Sequence, residues 1–215
     1  MKSVLLIGLG RFGRHIAMKL YDLGHQIMAV DSNEERINAV LPFVTNAQIG
    51  DSTNEEFLSS LGIRNFDACI VAIGDDFQSS LETASLLKEM GAKHVVARAS
   101  RGVQEKFLLR NGADAVVYPE KDLAYKLAVQ YSGRNVFDYY KLSEHIAVYE
   151  TAVPKTWVGK TIPELDVRRV HGVNILAVRV GGDLQLADMT HRFEDTDHVL
   201  VLGDEKDIRT LTKKT

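Results

Sequence analysis

A single cysteine, Cys69, stands in the 215 residues, so no intrachain disulfide forms and a reduced, cytosolic setting is expected. Long hydrophobic runs are missing as well. None reaches the ~18 apolar residues of a membrane span, and direct membrane insertion is not expected. The opening Met1-Lys2 leads straight into a short apolar run and a glycine, which is not the plan of a secretory leader. Positive charge is not in excess: 26 Lys and Arg face 29 Asp and Glu, a formal net charge of −3. Nothing therefore advertises nucleic acid or an anionic membrane surface as a partner. The seven histidines have no zinc-like spacing with Cys69, and low-complexity segments and short tandem repeats are absent. The length suits one generous domain, or a standard domain plus a small one.

The richest segment lies at the start. The apolar run Ser3-Val4-Leu5-Leu6-Ile7 feeds into Gly8-Leu9-Gly10-Arg11-Phe12-Gly13; a helical pattern over 14–23 and a second apolar run ending in Ala29-Val30-Asp31 follow. Strand, glycine turn, helix, strand and acid in that order predict a phosphate cradle with a ribose-reading carboxylate. Gly8 permits the tight turn, Gly10 lets a diphosphate approach the backbone, and Gly13 lets helix and strand pack closely. The helix N-terminus adds free N–H groups and partial positive charge.

The alternation continues. Ser32 with Glu35, and Thr53 with Glu56, read as capping boxes for helices ending near Leu41 and Leu61. Strands are expected over 45–49, 68–73, 95–99 and 115–118, and helices over 79–90 and 102–111. Six strands alternating with helices predict a Rossmann-like, doubly wound parallel α/β sheet of order 3-2-1-4-5-6, with ligand at the C-terminal strand ends. Pro119 opens a further helix over 120–131, closed by Ser132-Gly133. Strands are then expected over 146–153, 173–180 and 197–202. A hairpin at Gly181-Gly182-Asp183 and short helices over 162–169 and 204–211 complete a small α+β unit. The boundary falls within 132–143, giving domains 1–134 and 135–215.

Candidate ligand contacts follow from this placement. Phe12 in the turn and Ser32 beside Asp31 flank the expected nucleotide. Asp31 suits ribose hydroxyls and repels a 2′-phosphate, which disfavours NADP and leaves ATP, ADP and NAD open. Arg11 is either a bidentate phosphate contact or a solvated first-turn arginine. Asp51, Ser52 and Thr53 follow the third strand, where a purine base lies; Asp51 can accept from an exocyclic amine, and Thr53 either touches ligand or caps its helix. Gly74 ends the fourth strand and allows close passage. Arg98 ends the fifth and serves either the nucleotide or a salt bridge, while Glu120 sits where an acid is favourable on dipole grounds alone.

Across essentially its whole length the sequence resembles the RCK/KTN family, the cytosolic regulatory subunits of Ktr/Trk-type potassium uptake systems. The resemblance rests on residues 4–13, Ala29-Val30-Asp31, Gly50-Asp51-Ser52-Thr53-Asn54-Glu55, residues 61–67, Val71-Ala72-Ile73-Gly74, Gly112-Ala113-Asp114 and Tyr118-Pro119-Glu120-Lys121-Asp122. It implies that Arg11 meets terminal phosphates, that Arg98 is aimed at the nucleotide, and that Glu120 helps coordinate Mg2+ or another cation beside it. It also implies a homodimer exchanging crossover helices, built into an octameric ring beneath a KtrB/TrkH-like membrane pore subunit. Some members bind cyclic di-AMP through a segment like Asp166-Val167-Arg168-Arg169-Val170-His171-Gly172-Val173-Asn174, which makes Arg168 and Asn174 candidates for a second ligand site.

The expected function is a nucleotide-operated gating subunit rather than an enzyme, with ATP or ADP in the cleft and residues 132–140 as the hinge. The alternatives are an NAD-dependent oxidoreductase and a stand-alone NAD(H) redox sensor. Hydride transfer needs a positioned acid or base, and His145, His171, His191 and His198 are scattered without a partner pattern.

Overall fold

Parallel strands β1 (Ser3–Ile7), β2 (Gln26–Asp31), β3 (Asn46–Ile49), β4 (Ala68–Val71), β5 (Val95–Arg98) and β6 (Ala115–Val117) form one sheet of order β3-β2-β1-β4-β5-β6, the order expected from the sequence. The computed structural model describes residues 1–132 and 135–212. The chain divides into two units, Met1–Glu120 and Lys121–Thr215. Among the described residues no helix is long and apolar enough to cross a membrane.

Side-chain alternation along the central strands explains why both faces of this sheet are covered. Leu5, Ile7 and Val30 point to one face, where Leu58, Leu87 and Leu108 join them. Leu6, Ile27 and Ala29 point to the other, against Ala17, Ile37 and Val40. The first face is capped by α3 (Glu55–Ser60), α4 (Phe77–Glu89) and α5 (Gly102–Arg110), the second by α1 (Arg11–Asp22) and α2 (Glu34–Asn38). Each fully buried aliphatic side chain here, such as Leu5 or Leu6, contributes about 1.5–3 kcal/mol. Helix α1 ends in a Schellman turn: Gly24 adopts φ +74°, its N–H donates to the Tyr21 carbonyl, and His25 N–H donates to Leu20.

Two helix starts differ from expectation by one residue. Asn33 caps α2, accepting from Arg36 N–H at 3.1 Å, and Asn54 caps α3, accepting from Phe57 N–H at 2.9 Å. Neither Ser32 nor Thr53 is the cap. The reason is the preceding acid: Asp31 Oδ1 accepts from Asn33 N–H, and Asp51 Oδ1 from Thr53 N–H, each at 2.9 Å. These two-residue turns advance the chain before the helix opens. In α4 the cap is Asp76, so that helix begins at Phe77, two residues early.

Helix α6 (Pro119–Ser132) follows β6. Sequence reasoning puts it at the end of the first domain, but from Lys121 onward its contacts lie in the second unit. Lys126 Nζ pairs with Asp138 at 2.8 Å, and the Tyr125 and Tyr139 rings lie 5.6 Å apart. Gly133, expected to close the helix, and Arg134, at the expected boundary, lie outside the described residues. The second unit is an antiparallel sheet of order β10-β9-β11-β8-β7, from β7 (Val136–Lys141), β8 (Ile146–Ala152), β9 (Val173–Val180), β10 (Asp183–Leu186) and β11 (His198–Asp204). Strand β7 falls where the sequence reads as linker; it is an edge strand that buries Tyr139 and leaves Phe137 and Tyr140 largely outside, so its pattern is weak. The β9–β10 hairpin turns on Gly181 and Gly182 at φ +58° and +97°, as a two-residue turn of that hand requires. The helix expected over 162–169 is two, α7 (Ile162–Leu165) and α8 (Val167–His171), parted where Asp166 adopts φ +44°. Helix α9 (Glu205–Thr212) closes the unit.

Glu150 on β8 accepts from Arg179 Nε at 2.7 Å and Nη2 at 3.0 Å and faces His198 Nδ1 at 3.2 Å. The Arg179 hydrogen bonds, and then His198, hold its carboxyl below the usual range against the opposing effect of burial. A folded pKa below the unfolded one gives stabilisation that is complete above the unfolded value and is lost as pH falls through the folded one. Glu150→Gln is therefore expected to lower stability at pH 7 and to flatten the loss of Tm below about pH 4.5, near the ordinary carboxyl pKa. An unchanged acid limb in a melting series would refute this.

Candidate functional site

The glycine turn between β1 and α1 sets one wall of a cleft over the C-terminal strand ends. Gly8 has φ +91°, and its N–H donates to the Val30 carbonyl at 2.9 Å. A Cβ on Gly13 would lie 1.9 Å from the Gly8 carbonyl oxygen, so the absent side chain is what lets α1 pack on the turn. At Gly10 a Cβ would meet nothing within 4 Å; its open side borders the cleft. Gly10 is the N-cap of α1 and carries no side chain to cap it, and the first turn holds no acid. The orphan N–H groups and the positive helix end are left for an anion.

The cleft measures about 710 Å³, within the range of small-molecule sites. Around it the structure gathers Gly8, Gly10, Arg11, Phe12, Asp31, Ser32, Asp51, Ser52, Gly74, Arg98 and Glu120. Two expected residues are not in its lining. Gly13 faces the Gly8 carbonyl, and the Thr53 hydroxyl donates to Asp51 Oδ1 at 2.8 Å. Thr53 thereby orients Asp51 and, through its N–H first and its hydroxyl second, holds that carboxyl below the usual range.

Asp31 is buried at the end of β2. Its Oδ2 accepts from Leu9 N–H at 2.6 Å and its Oδ1 from Asn33 N–H, so the carboxylate ties the glycine turn to the second strand. Each oxygen keeps a further lone pair for a hydroxyl. Ser52 Oγ lies 2.8 Å from Thr83 Oγ1 on α4, which fixes the segment after β3.

At the opposite end Arg98 reaches from β5 to ion-pair with Glu120, its guanidinium 5.6 Å from the Phe12 ring centroid. A Cβ on Gly74 would sit 2.0 Å from Arg98 Nη1, so the glycine makes room for the guanidinium, and Ser100 Oγ donates to the Gly74 carbonyl at 2.8 Å. The Glu120 carboxyl is held below its usual range by its own backbone N–H, then by Arg98 and by the charge of Arg11. Arg98 thus makes a salt bridge, one of its two sequence readings, and it does so in the lining of the cleft. Among the described residues no three His, Cys, Asp or Glu side chains cluster to hold a metal ion. Glu120 alone offers one carboxylate, already paired.

Five polar lining residues escape the sequence reading: His15, Arg36, Asp75, Asp76 and Ser79. Two carried a usable signal. His15 follows Arg11 by four residues and so shares its face of α1, and Arg36 lies in the first turn of the helix opened just after Asp31. In the second unit Arg168 on α8 and Asn174 on β9 are both exposed, and it is the neighbouring Arg169 that pairs with Asp166, at 2.6 Å.

Residues 4–119 match the TrkA-N domain, and residues 147–215 match the TrkA-C domain. The chain belongs to the TrkA-N/TrkA-C family. Near-full-length relatives of this TrkA-N/TrkA-C protein include Ktr system potassium uptake protein A of Bacillus subtilis (strain 168), 39% identical over 97% of this chain and 94% of that one. Ktr system potassium uptake protein C of the same organism is 37% identical over 99% and 97%. The RCK/KTN resemblance read from the glycine turn, Asp31 and the Pro119-Glu120 segment therefore holds. Among solved structures, the GsuK channel bound to NAD matches with a TM-score of 0.72 at 17% identity, over 99% of this chain and 39% of that one. That likeness establishes the RCK fold of the TrkA-N/TrkA-C protein. This chain spans less than half of the channel's length.

Proposed function

We propose that this TrkA-N/TrkA-C protein is the cytosolic, non-enzymatic regulatory subunit of a Ktr-type potassium uptake system, switched by an adenine nucleotide in the cleft of its first unit. The observation that carries the nucleotide reading is the uncapped N-terminus of α1 at Gly10, with Arg11 beside it and Asp31 across the turn. Diphosphate over the turn, ribose on Asp31 and base toward Asp51 and Ser52 give each of these groups the chemistry it suits. The regulatory role is supported by 37–39% identity to Ktr system potassium uptake proteins over nearly the whole chain.

ATP and ADP differ by the terminal phosphate, which in this reading Arg11 contacts. Arg11, Arg98 and Glu120 stand at the phosphate end, where Arg98 and Glu120 already form a pair that an incoming phosphate competes for. A cation at Glu120 draws its remaining ligands from phosphate, water or another subunit. The nucleotide regulates flux only through unequal affinity for two states of the assembly. The division into residues 1–134 and 135–215, with α6 as the crossover helix exchanged in a homodimer, the octameric ring and the KtrB/TrkH-like pore partner complete the proposal. So does a cyclic di-AMP site at Arg168 and Asn174.

Calorimetric titration with ATP, ADP and NADH, with and without Mg2+, tests it. ATP and ADP are expected to bind with distinct affinities, and Arg11→Ala to lose ATP affinity about tenfold or more, the scale of a charge-assisted contact, with ADP less affected. Tight NADH binding with weak ATP binding would favour the redox-sensor reading, and hydride transfer to any small substrate would revive the oxidoreductase. Failure to restore nucleotide-dependent potassium uptake to a strain lacking its own Ktr regulatory subunit would overturn the gating role.

A further inference from the structure

We infer that the cleft has a ribose-phosphate subsite, formed by Arg14, His15 and Arg36, and so takes nucleotides that carry an additional phosphate on the 2′ or 3′ oxygen; this rests on the nucleotide reading above. A second cavity of about 260 Å³ adjoins the cleft on the α1–α2 side and shares Arg11 and His15 with it. Its lining contains Arg11, Arg14 and His15 and no acidic residue; its floor is Met18, Val40 and Phe43. Spacings of three and four residues put Arg14 and His15 on the same face of α1 as Arg11. Among the described residues no acidic side chain pairs with Arg14 or His15, and Arg36, on the facing helix, lines the main cleft.

Arg36 changes the expectation that Asp31 repels a ribose phosphate. Its Nη1 lies 3.7 Å from Asp31 Oδ2, and its side chain is 53% exposed, free to swing toward a ligand. The Asp31 carboxylate also accepts hydrogen bonds from the N–H groups of Leu9 and Asn33. A phosphate on the ribose edge would meet the two guanidinium groups of Arg14 and Arg36 and the His15 imidazole, against one carboxylate whose oxygens already accept hydrogen bonds. An arginine near the ribose-binding acid is the device by which dinucleotide folds accommodate a 2′-phosphate. The other acids of the cleft, Asp51, Asp75, Asp76 and Glu120, follow β3, β4 and β6 and belong to neither α1 nor α2.

The full chain is titrated with 5′-AMP, ADP, adenosine 2′,5′-bisphosphate and adenosine 3′,5′-bisphosphate at ~0.1 M salt, where screening acts over about 10 Å. One bisphosphate is expected to bind at least about tenfold more tightly than 5′-AMP, as charge-assisted bonds to guanidinium groups provide. The preferred isomer identifies the ribose oxygen. Arg14→Gln and Arg36→Gln should each cut that ratio at least about threefold, whereas Lys19→Gln, an exposed α1 cation outside both cavities, should leave it unmoved. If ADP binds but both bisphosphates bind no better than 5′-AMP, the subsite is refuted and the nucleotide reading stands. A ratio that survives both arginine variants also refutes it. If no nucleotide binds, both readings fall.

Discussion

Gly13→Ala is expected to destabilise the first unit by about 2–3 kcal/mol, the upper range for overpacking, and to weaken nucleotide binding at least about tenfold. Alanine is normally the better helix former by about 1 kcal/mol, so the sign is set by packing and not by propensity. The new methyl would begin 1.9 Å from the Gly8 carbonyl oxygen, and ordinary contact starts near 3.4 Å. Neither partner is a side chain that can rotate away. The carbonyl belongs to the turn itself, and Gly8 is fixed by its hydrogen bond to Val30 and its φ of +91°. Helix α1 must therefore lift off the sheet, taking with it the N–H groups at Gly10–Gly13 that would hold a phosphate. Urea denaturation followed by circular dichroism, together with ADP calorimetry, reads both effects. A variant as stable as the parent would show that the turn yields, and the account of α1 packing would be wrong.

Trp157→Ala is expected to cost the second unit about 3–5 kcal/mol, the range for emptying a buried aromatic site. Trp157 is 1% exposed on a short 3-10 turn, not on the sheet, and its ring lies 5.9 Å from Phe193 and 5.7 Å from His171. It pins a loop onto the core. Gly159 N–H donates to the Phe193 carbonyl at 2.8 Å, and Phe193 N–H donates to Lys160 at 3.1 Å, so the segments around 159 and 193 are held together beside the ring. Trp157→Phe should retain most of the stability. The residue is the chain's one tryptophan, so in the parent its emission reports this unit specifically. A circular dichroism melt of the alanine variant within 1 °C of the parent would contradict its role, since even 1 kcal/mol shifts Tm by several degrees in a domain of this size.

Much of the first unit was legible because its signals are local and periodic. The continuous apolar run over 68–73 reads as a strand buried on both faces of a parallel sheet, and the glycine spacing at 8, 10 and 13 serves one turn geometry. The caps of α2 and α3 were misplaced because Asp31 and Asp51 each capture an N–H two residues on, a competition that motif matching does not weigh. Strand β7 was missed because an edge strand buries little and alternates weakly. The break at Asp166 was missed because a non-glycine residue at positive φ leaves no mark in composition.

The candidate site divides along the same line. By itself the sequence determined which glycine turn would open the first helix without a side-chain cap and which acid would end the second strand, because both depend on chain neighbours a few residues away. Only the tertiary structure decided that Thr53 turns back onto Asp51, that Arg98 nests over Gly74 to reach Glu120, and that Arg36 stands beside Asp31. Those contacts join elements distant in the chain, and their geometry is set by how α1, α2 and β5 pack against one sheet, which no local pattern of residues encodes.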